Sequence, residues 1–420
     1  MNPSKYLLFF LLPIFLVACL FGPPLMPLFG MINYIDTTAI AIGCAAIIAL
    51  ASGSWLSQFV SKQVRRTGVP SRRRVHIVVV ALLVLSIAMH LILMNGLFTN
   101  TTTLIEILQR QPGAIFRFRN DAGRIPGITS FTQVYVLVFT ILGAYRYWYG
   151  RWWTTDVWLL LFALLGLMFL RAFTLAERLI LIEAVIFFAL PFLMFSRVRN
   201  GIITFLPVFG LFGIFALFAA GEYFRSWTFY QDSYDSFLEF ISLRLSGYVI
   251  TATNTGAGIL ERIGTTGFPY VTALWFWRLP GIESLFPGVN SPVGMFLRNY
   301  GNPEFNNPSG IFAGIIDYGI YVGLLMYLAL GIVAGVLYRQ FRAGNVIGVL
   351  IYPVVFMGLL ELTQLFYLGD QRLFTTYALL IPILIYLRPQ KQPAKRYILR
   401  RVAQQPDDGM IQPGSVRATT

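Results

Sequence analysis

The sequence predicts an all-α polytopic membrane protein with about ten transmembrane helices and one large external loop that contains short helices. Three observations predict this class. Hydrophobic residues make up 57% of the chain and charged residues only 12%, about half the share that soluble domains carry. Apolar runs of about 20 residues recur along the chain, with short basic segments between them. These runs are continuous rather than alternating, which excludes a membrane β-barrel.

Ten apolar runs are predicted to span the membrane, with short basic segments between many of them. They cover residues 6–28, 37–60, 75–98, 129–149, 156–170, 174–197, 202–220, 311–337, 346–368 and 373–387. Two longer segments, 99–128 and 221–309, lie between these runs and are predicted to face the outside. The final residues, 389–420, are basic and then polar, so they are predicted to form a disordered cytoplasmic tail behind a single transmembrane domain of residues 1–388.

The orientation follows from the segment after the second run. Lys62, Arg65, Arg66 and the three arginines of residues 72–74 crowd into it, so the positive-inside rule makes it cytoplasmic. With ten spans, both termini are then predicted to be cytoplasmic. The net charge of +14 is scattered among such membrane loops, and we therefore do not expect a nucleic-acid partner.

The basic residues of the predicted outer face are all arginine. The lysines, Lys5, Lys62, Lys391 and Lys395, fall on the predicted cytoplasmic side instead. Charge that served only solubility would include lysine. Because the forked guanidinium matches phosphate and carboxylate with two parallel hydrogen bonds, this distribution predicts an anionic ligand outside.

Charged residues stand at the turn between the fifth and sixth runs. Arg171, Glu177 and Arg178 are predicted to lie at the outer end of a helical hairpin, partly within the membrane. Charges at this depth are costly and are usually functional. The alternative is a local ion pair between Glu177 and either arginine, with the side chains reaching to the interface.

The large external loop is predicted to contain a helix that lies along the membrane face. Ser236 and Glu239 have the spacing of a capping box, and the apolar positions that follow recur with helical period. Phe240, Arg244 and Tyr248 share one stripe of this helix, which brings a guanidinium beside aromatic rings. The arginine is a candidate contact for a phosphate or a sugar.

No metal or cofactor is predicted. The chain has two histidines, and its cysteines, Cys19 and Cys44, lie inside apolar runs as small buried hydrophobic residues. No glycine-rich phosphate loop or nucleotide-binding unit is present. A sugar donor that is already activated as a lipid diphosphate requires neither.

Three segments resemble the bacterial oligosaccharide repeat-unit polymerases, the Wzy-type O-antigen and exopolysaccharide polymerases. They are Arg171 with Glu177 and Arg178 in the hairpin, the stretch 244–248 in the large loop, and the stretch 306–323, in which an Asn-Asn-Pro-Ser-Gly loop enters a span that carries Asp317. The resemblance implies a GT-C-like, metal-independent glycosyltransferase of the bacterial inner membrane. It would transfer a growing glycan between undecaprenyl-diphosphate-linked oligosaccharides at the periplasmic face, among membrane lipid, with a flippase and a chain-length regulator as partners.

The resemblance also implies roles for individual residues. Asp317 or Glu177 would orient an arginine or act as the base, and the sequence does not rank these two roles. Those that would bind the diphosphate or the sugar are Arg171, Arg178, Arg244, Arg225, Arg298 and Tyr248. Two other functions stay open. An O-antigen ligase has a similar layout but typically uses a histidine in the large loop, and residues 221–309 contain none. A lipid-linked oligosaccharide flippase typically has two related halves, and no such repeat is evident.

Overall fold

The computed structural model describes residues 2–60, 68–96, 101–109, 111, 113–121, 129–175, 177–195, 200–277, 281–282 and 291–389. It is all-helical, with 81% helix and no strand among the described residues. The α-helices are α1 (Pro3–Phe21), α2 (Thr37–Val60), α3 (Arg72–Leu93), α4 (Thr101–Leu108), α5 (Ala114–Asp121), α6 (Tyr135–Tyr149), α7 (Thr155–Thr174), α8 (Leu179–Phe195), α9 (Asn200–Arg225), α10 (Trp227–Tyr230), α11 (Phe237–Arg262), α12 (Leu274–Trp277), α13 (Pro292–Tyr300), α14 (Gly310–Arg342), α15 (Val346–Leu360) and α16 (Phe374–Tyr386). Short 3₁₀ turns join several of them, at Pro23–Phe29, Thr129–Val134, Gln231–Ser233, Glu361–Thr363, Tyr367–Gly369 and Gln371–Leu373.

The helices confirm that the chain is an α-helical protein with apolar segments suited to a membrane. Among the described residues, six helices are long and apolar enough to cross one: α1, α2, α3, α7, α14 and α15 with its following turn. Two more apolar helices, α8 and α16, are shorter. Each of the ten predicted runs is largely helical over its described residues, but the number of spans and a GT-C-like architecture stay predictions.

Two helices form the centre of the bundle. Nearly every residue of α6 and α15 is buried, so these helices are surrounded by protein on all sides. Helices α2, α3, α7 and α14 instead expose large apolar side chains such as Trp55, Phe162 and Leu325. An apolar outer surface of this kind is what a lipid environment requires, and it agrees with the prediction from composition.

Helices α2 and α14 pack closely in a parallel arrangement, because glycines stand at their contact. A side chain at Gly53 would meet the backbone carbonyl of Leu328, and one at Gly331 would meet that of Leu50. Small residues let helix backbones approach each other, which is the usual way for helices to associate in membranes.

Contacts between helix ends show which of these ends lie together at one end of the bundle. Arg72 at the start of α3 donates to Tyr145 near the end of α6 (2.9 Å), and His76 lies 3.3 Å from Asp156 at the start of α7. Arg74 donates to the Tyr386 carbonyl at the end of α16. These elements therefore meet at the end that the basic segment predicts to be cytoplasmic. The opposite end carries the turns at 129–134 and 361–373.

Helix α14 is broken at Gly319, although the sequence predicts one continuous span here. Its φ of 83° and ψ of 171° are open to glycine and strained for any other residue. The break frees the Ile316 carbonyl, which accepts hydrogen bonds from the backbone N–H (2.8 Å) and hydroxyl (3.2 Å) of Thr266. The segment 264–273 is thereby attached to the broken helix.

The described part of the segment 221–309, which is predicted to be external, is mostly helical and largely packed against the bundle. The capping box is confirmed, since the Glu239 N–H donates to the Ser236 hydroxyl (3.1 Å) at the start of α11. The predicted position along the membrane face is not what the structure has, because the second half of α11 is buried. Ile250, Ala257 and Ile259 there contact the rest of the protein. The predicted tail lies outside the described residues from position 390 onward.

Candidate functional site

A cavity of about 610 Å³ lies at the end of the bundle opposite the basic segment. Its walls come from α7, α8, α9, α11 and the turns at 129–134 and 361–373. Four arginines line it, together with four carboxylates. The arginines are Arg171, Arg178, Arg225 and Arg372, and the acids are Glu177, Glu183, Glu361 and Asp370.

Arg171 is the arginine of the helical hairpin, and its predicted ion pair with Glu177 is present. Helix α7 ends at Thr174 and α8 begins at Leu179, so the hairpin turn brings the two side chains together. The Nε and Nη2 of Arg171 donate to one oxygen of Glu177, at 2.8 and 2.6 Å. The third nitrogen, Nη1, is buried and has no hydrogen-bond partner among the described residues. The hydrogen-bonding capacity of this nitrogen is therefore unused.

Arg178 is held by a buried carboxylate that the sequence did not single out. Its Nη2 donates to Glu222 at 2.6 Å, and its guanidinium carbon lies 4.2 Å above the ring of Phe218. Glu222 lies in the last turns of α9 and is fully buried. Arg225, one turn further on, lies 4.0 Å from the same carboxylate.

Arg244 reaches the same carboxylate from α11. Its Nε lies 2.9 Å from Glu222, an ion pair without hydrogen-bond alignment, and its Nη1 donates to Glu304 at 2.5 Å. The predicted aromatic neighbour is present, since Phe240 lies 5.4 Å from the guanidinium. Burial lowers the pKa of Arg244, but Glu222 and Glu304 more than offset this and raise it above its ordinary value. The side chain therefore stays charged behind the cavity wall.

Tyr230 belongs to the same group of side chains as Arg244 and Glu304. Its hydroxyl donates to Glu304 at 3.0 Å. Burial and the neighbouring Glu304 carboxylate raise the pKa of Tyr230, so the phenol stays neutral and remains a donor at ordinary pH.

Glu183 is the centre of a second buried network on the other wall. It receives hydrogen bonds from Gln133 (2.7 Å), Tyr367 (2.7 Å) and Tyr135, and it is 1% exposed. Arg372 lies 4.0 Å from it and also donates to Asp370 at 3.2 Å. These contacts join α8 to turns that are far away in sequence, and they fix Arg372 at the cavity.

Of the predicted site residues, Arg171, Arg178, Arg225, Glu177 and Tyr248 line the cavity. Arg244 supports it through Glu222. Arg298 is exposed on α13 and does not line it. Their assignment as binding residues stays a prediction.

Asp317 lies away from the cavity. It is fully buried and accepts hydrogen bonds from the backbone N–H of Val271 (3.0 Å) and from the N–H and hydroxyl of Thr272 (each 2.7 Å). This geometry favours a structural role, in which the carboxylate fastens the segment 264–273 to α14. The catalytic role predicted for Asp317 stays a prediction that no contact in the structure supports.

Sequence reasoning missed Glu183; it placed Glu361 and Arg372 at or near the outer face but gave neither a role in the site. The signal for Glu183 was available, because an acidic residue inside the apolar run 174–197 is by itself a candidate functional residue. Arg372 had no comparable signal. It follows a short turn between two spans and differs from other loop arginines only through its tertiary contacts.

Within the described residues, no group of three or more histidine, cysteine or acidic side chains is placed to hold a metal ion. The arrangement instead presents fixed guanidinium donors to a cavity, which is suited to binding an anion. A comparison of the chain with protein families, with curated proteins and with solved structures gave no match to any of them.

Proposed function

We propose that this protein is an oligosaccharide repeat-unit polymerase of the bacterial inner membrane. It would transfer a growing glycan from one undecaprenyl diphosphate to a second lipid-linked repeat unit, at the periplasmic face. The observation that carries the proposal is the convergence of Arg171, Arg178, Arg225 and Arg372 on one cavity at the predicted outer end of an apolar helical bundle.

The cavity lining as a whole is balanced, with four arginines and four carboxylates, and an excess of positive charge is confined to the group around Glu222, where it supports an anionic substrate. Around Glu222, the guanidiniums of Arg178, Arg225 and Arg244 share two carboxylates, Glu222 and Glu304, so one positive charge is left over. A diphosphate is the anion that such a group matches, since arginine forks pair with its oxygens through parallel hydrogen bonds.

The rigidity of the site supports catalysis as well as binding. The carboxylates around the cavity orient Arg171, Arg178 and Arg372 before any substrate arrives, and part of their donor capacity stays free, as at Nη1 of Arg171. Glycosyl transfer from a lipid diphosphate leaves negative charge on the departing oxygen. Donors that are already aimed at this charge stabilise the transition state without reorganisation.

The membrane placement supports a lipid-linked donor rather than a soluble one. The walls of the cavity belong to helices whose outer faces are apolar, so a polyprenyl chain would remain in lipid while its diphosphate reached the arginines. A flippase would deliver the units to this face, and a chain-length regulator would act on the product.

A reconstitution experiment tests the proposal. Purified protein is incubated with a lipid-diphosphate-linked repeat unit, in EDTA and without nucleotide, and chain growth is followed by gel or mass spectrometry. We expect growth by the wild type and a loss of about 100-fold in Arg171→Lys and Arg178→Lys, because lysine lacks the fork. Arg262→Lys is the matched control, since Arg262 stacks on Tyr300 outside the cavity (4.5 Å) and should retain full activity.

A flippase and an O-antigen ligase would each give a different outcome in the same experiment. Transfer of the unit across a proteoliposome membrane without chain growth would replace the polymerase with a flippase. Transfer of the glycan to a different lipid acceptor, with no polymer, would indicate a ligase.

A further inference from the structure

The cavity contains a carboxylate that receives no hydrogen bond from any described residue. Three of the four acids that line the cavity accept hydrogen bonds. Glu177 accepts from Arg171, Asp370 accepts from Arg372, and Glu183 accepts from Gln133, Tyr135 and Tyr367. The carboxylate of Glu361 has neither a hydrogen bond nor an ion pair with any described residue. Its lone pairs are therefore available to a substrate.

The backbone holds Glu361 firmly at this position. Helix α15 ends at Leu360, and the Glu361 carbonyl accepts hydrogen bonds from the N–H groups of Gln364 (2.8 Å) and Leu365 (2.9 Å). Gln364 and Leu365 line the cavity as well. The side chain is thus presented to the cavity by a closed turn rather than by a loose loop.

From this geometry we infer that Glu361 is the general base of the reaction, a role that rests on the proposed function. The acids paired with arginine are poorly suited to it, because an adjacent guanidinium stabilises the ionised carboxylate and weakens its attraction for a proton. A carboxylate without donors, in the cavity that would hold the reacting groups, is the better proton acceptor.

The acceptor sugar hydroxyl gives its proton to a Glu361 carboxylate oxygen while its own oxygen forms the new bond to the anomeric carbon of the donor. The bond from that carbon to the diphosphate oxygen breaks, and its electron pair leaves with the lipid diphosphate, which the arginines stabilise. The proton on Glu361 then passes to water.

The test compares single-turnover chain growth by the wild type and by Glu361→Gln, which keeps the size of the side chain but cannot take up the proton. We expect the rate to fall by about 100-fold, the lower range for a lost general base. Binding of the lipid-diphosphate donor and the thermal unfolding temperature should stay unchanged. Glu261→Gln is the matched control, since Glu261 is exposed on α11 and outside the cavity.

The dependence of the chain-growth rate on pH distinguishes a general base from a residue with only a structural role. A base must be ionised, so the wild-type rate should fall at low pH, and this acidic limb should disappear in Glu361→Gln. The titratable or charged groups that act on Glu361 are Glu183, Asp370, Arg372 and Tyr6, and the variant leaves all of them in place.

A Glu361→Gln rate within threefold of the wild type would overturn the inference. So would an unchanged acidic limb, or a loss of donor binding as large as the loss of rate. In each of these cases the wild type still elongates glycans, and the proposed function stands. A wild type that elongates nothing would refute the proposed function itself.

Discussion

Glu222 is the single carboxylate on which three guanidiniums converge. It is fully buried, and Arg178, Arg244 and Arg225 approach it at 2.6, 2.9 and 4.0 Å. A buried ion pair adds little to stability when both partners are present, because desolvation offsets the attraction. Removing one partner is different, since the remaining charges are then buried without compensation.

We therefore expect Glu222→Gln to lower the free energy of unfolding by about 3 kcal/mol, the lower range for a broken buried ion pair. Reversible unfolding in mixed micelles measures this change. Glu239→Gln provides a matched comparison on the exposed first turn of α11. A loss of less than about 1 kcal/mol in Glu222→Gln would mean that the arginines have other counter-charges.

The candidate site was predictable from the sequence only in part, and its residues show why. The arginine-only predicted outer face and the charged hairpin identified Arg171, Arg178 and Arg225 as candidate binding residues from the sequence alone. The pairing of Arg171 with Glu177 was also foreseen, but the long-range contacts of the site were not, because Glu222 is 44 residues from Arg178 and Tyr367 is 184 residues from Glu183. Such pairings depend on how the helices pack, which hydropathy does not encode.

At the scale of elements, the break in α14 is a feature that the hydropathy of the sequence does not predict. The residues before the break, Gly310–Asp317, are all buried, and the segment 264–273 binds to Asp317 and to the Ile316 carbonyl, which the break leaves without a helical partner. An apolar run predicts that a helix crosses the membrane, but it carries no information about a break within the run. Only the glycine at position 319 signals it, and glycine is common in membrane helices.

We expect Gly319→Ala to destabilise the protein by about 1–3 kcal/mol, because alanine is strained at a φ of 83° and a ψ of 171°. The added Cβ would meet no atom closer than 3.6 Å, so the cost lies in the backbone and not in a collision. Thermal unfolding in detergent measures the effect. Gly166→Ala, in open space within α7, should instead be neutral or slightly stabilising. Equal stability of the two variants would refute the strain argument.

At the scale of the whole molecule, composition and hydropathy were enough to predict an all-helical membrane protein. The start of α3 contacts the end of α6, the start of α7 and the end of α16, so these four helix ends lie together, while the number of spans stays a prediction. The side of the membrane that this end faces rests on the positive-inside rule alone.

Cysteine labelling tests this orientation. In a Cys19→Ala, Cys44→Ala background, Ser233→Cys and Thr154→Cys place single thiols at exposed positions at the two ends of the bundle. We expect a membrane-impermeant thiol reagent to label position 233 in intact spheroplasts, and position 154 only after permeabilisation. The reverse pattern would place the cavity on the cytoplasmic side and exclude a periplasmic reaction.

The cavity is lined by residues that are distant along the chain, so it can form only late in biosynthesis. Its lining begins at Leu93 and ends at Arg372, and Glu183 depends on Tyr367 for one of its hydrogen bonds. Residues up to Arg372 must therefore be translated and inserted before the cavity exists. Under the proposed function, a chain that is only partly inserted would have no activity toward lipid-linked sugars.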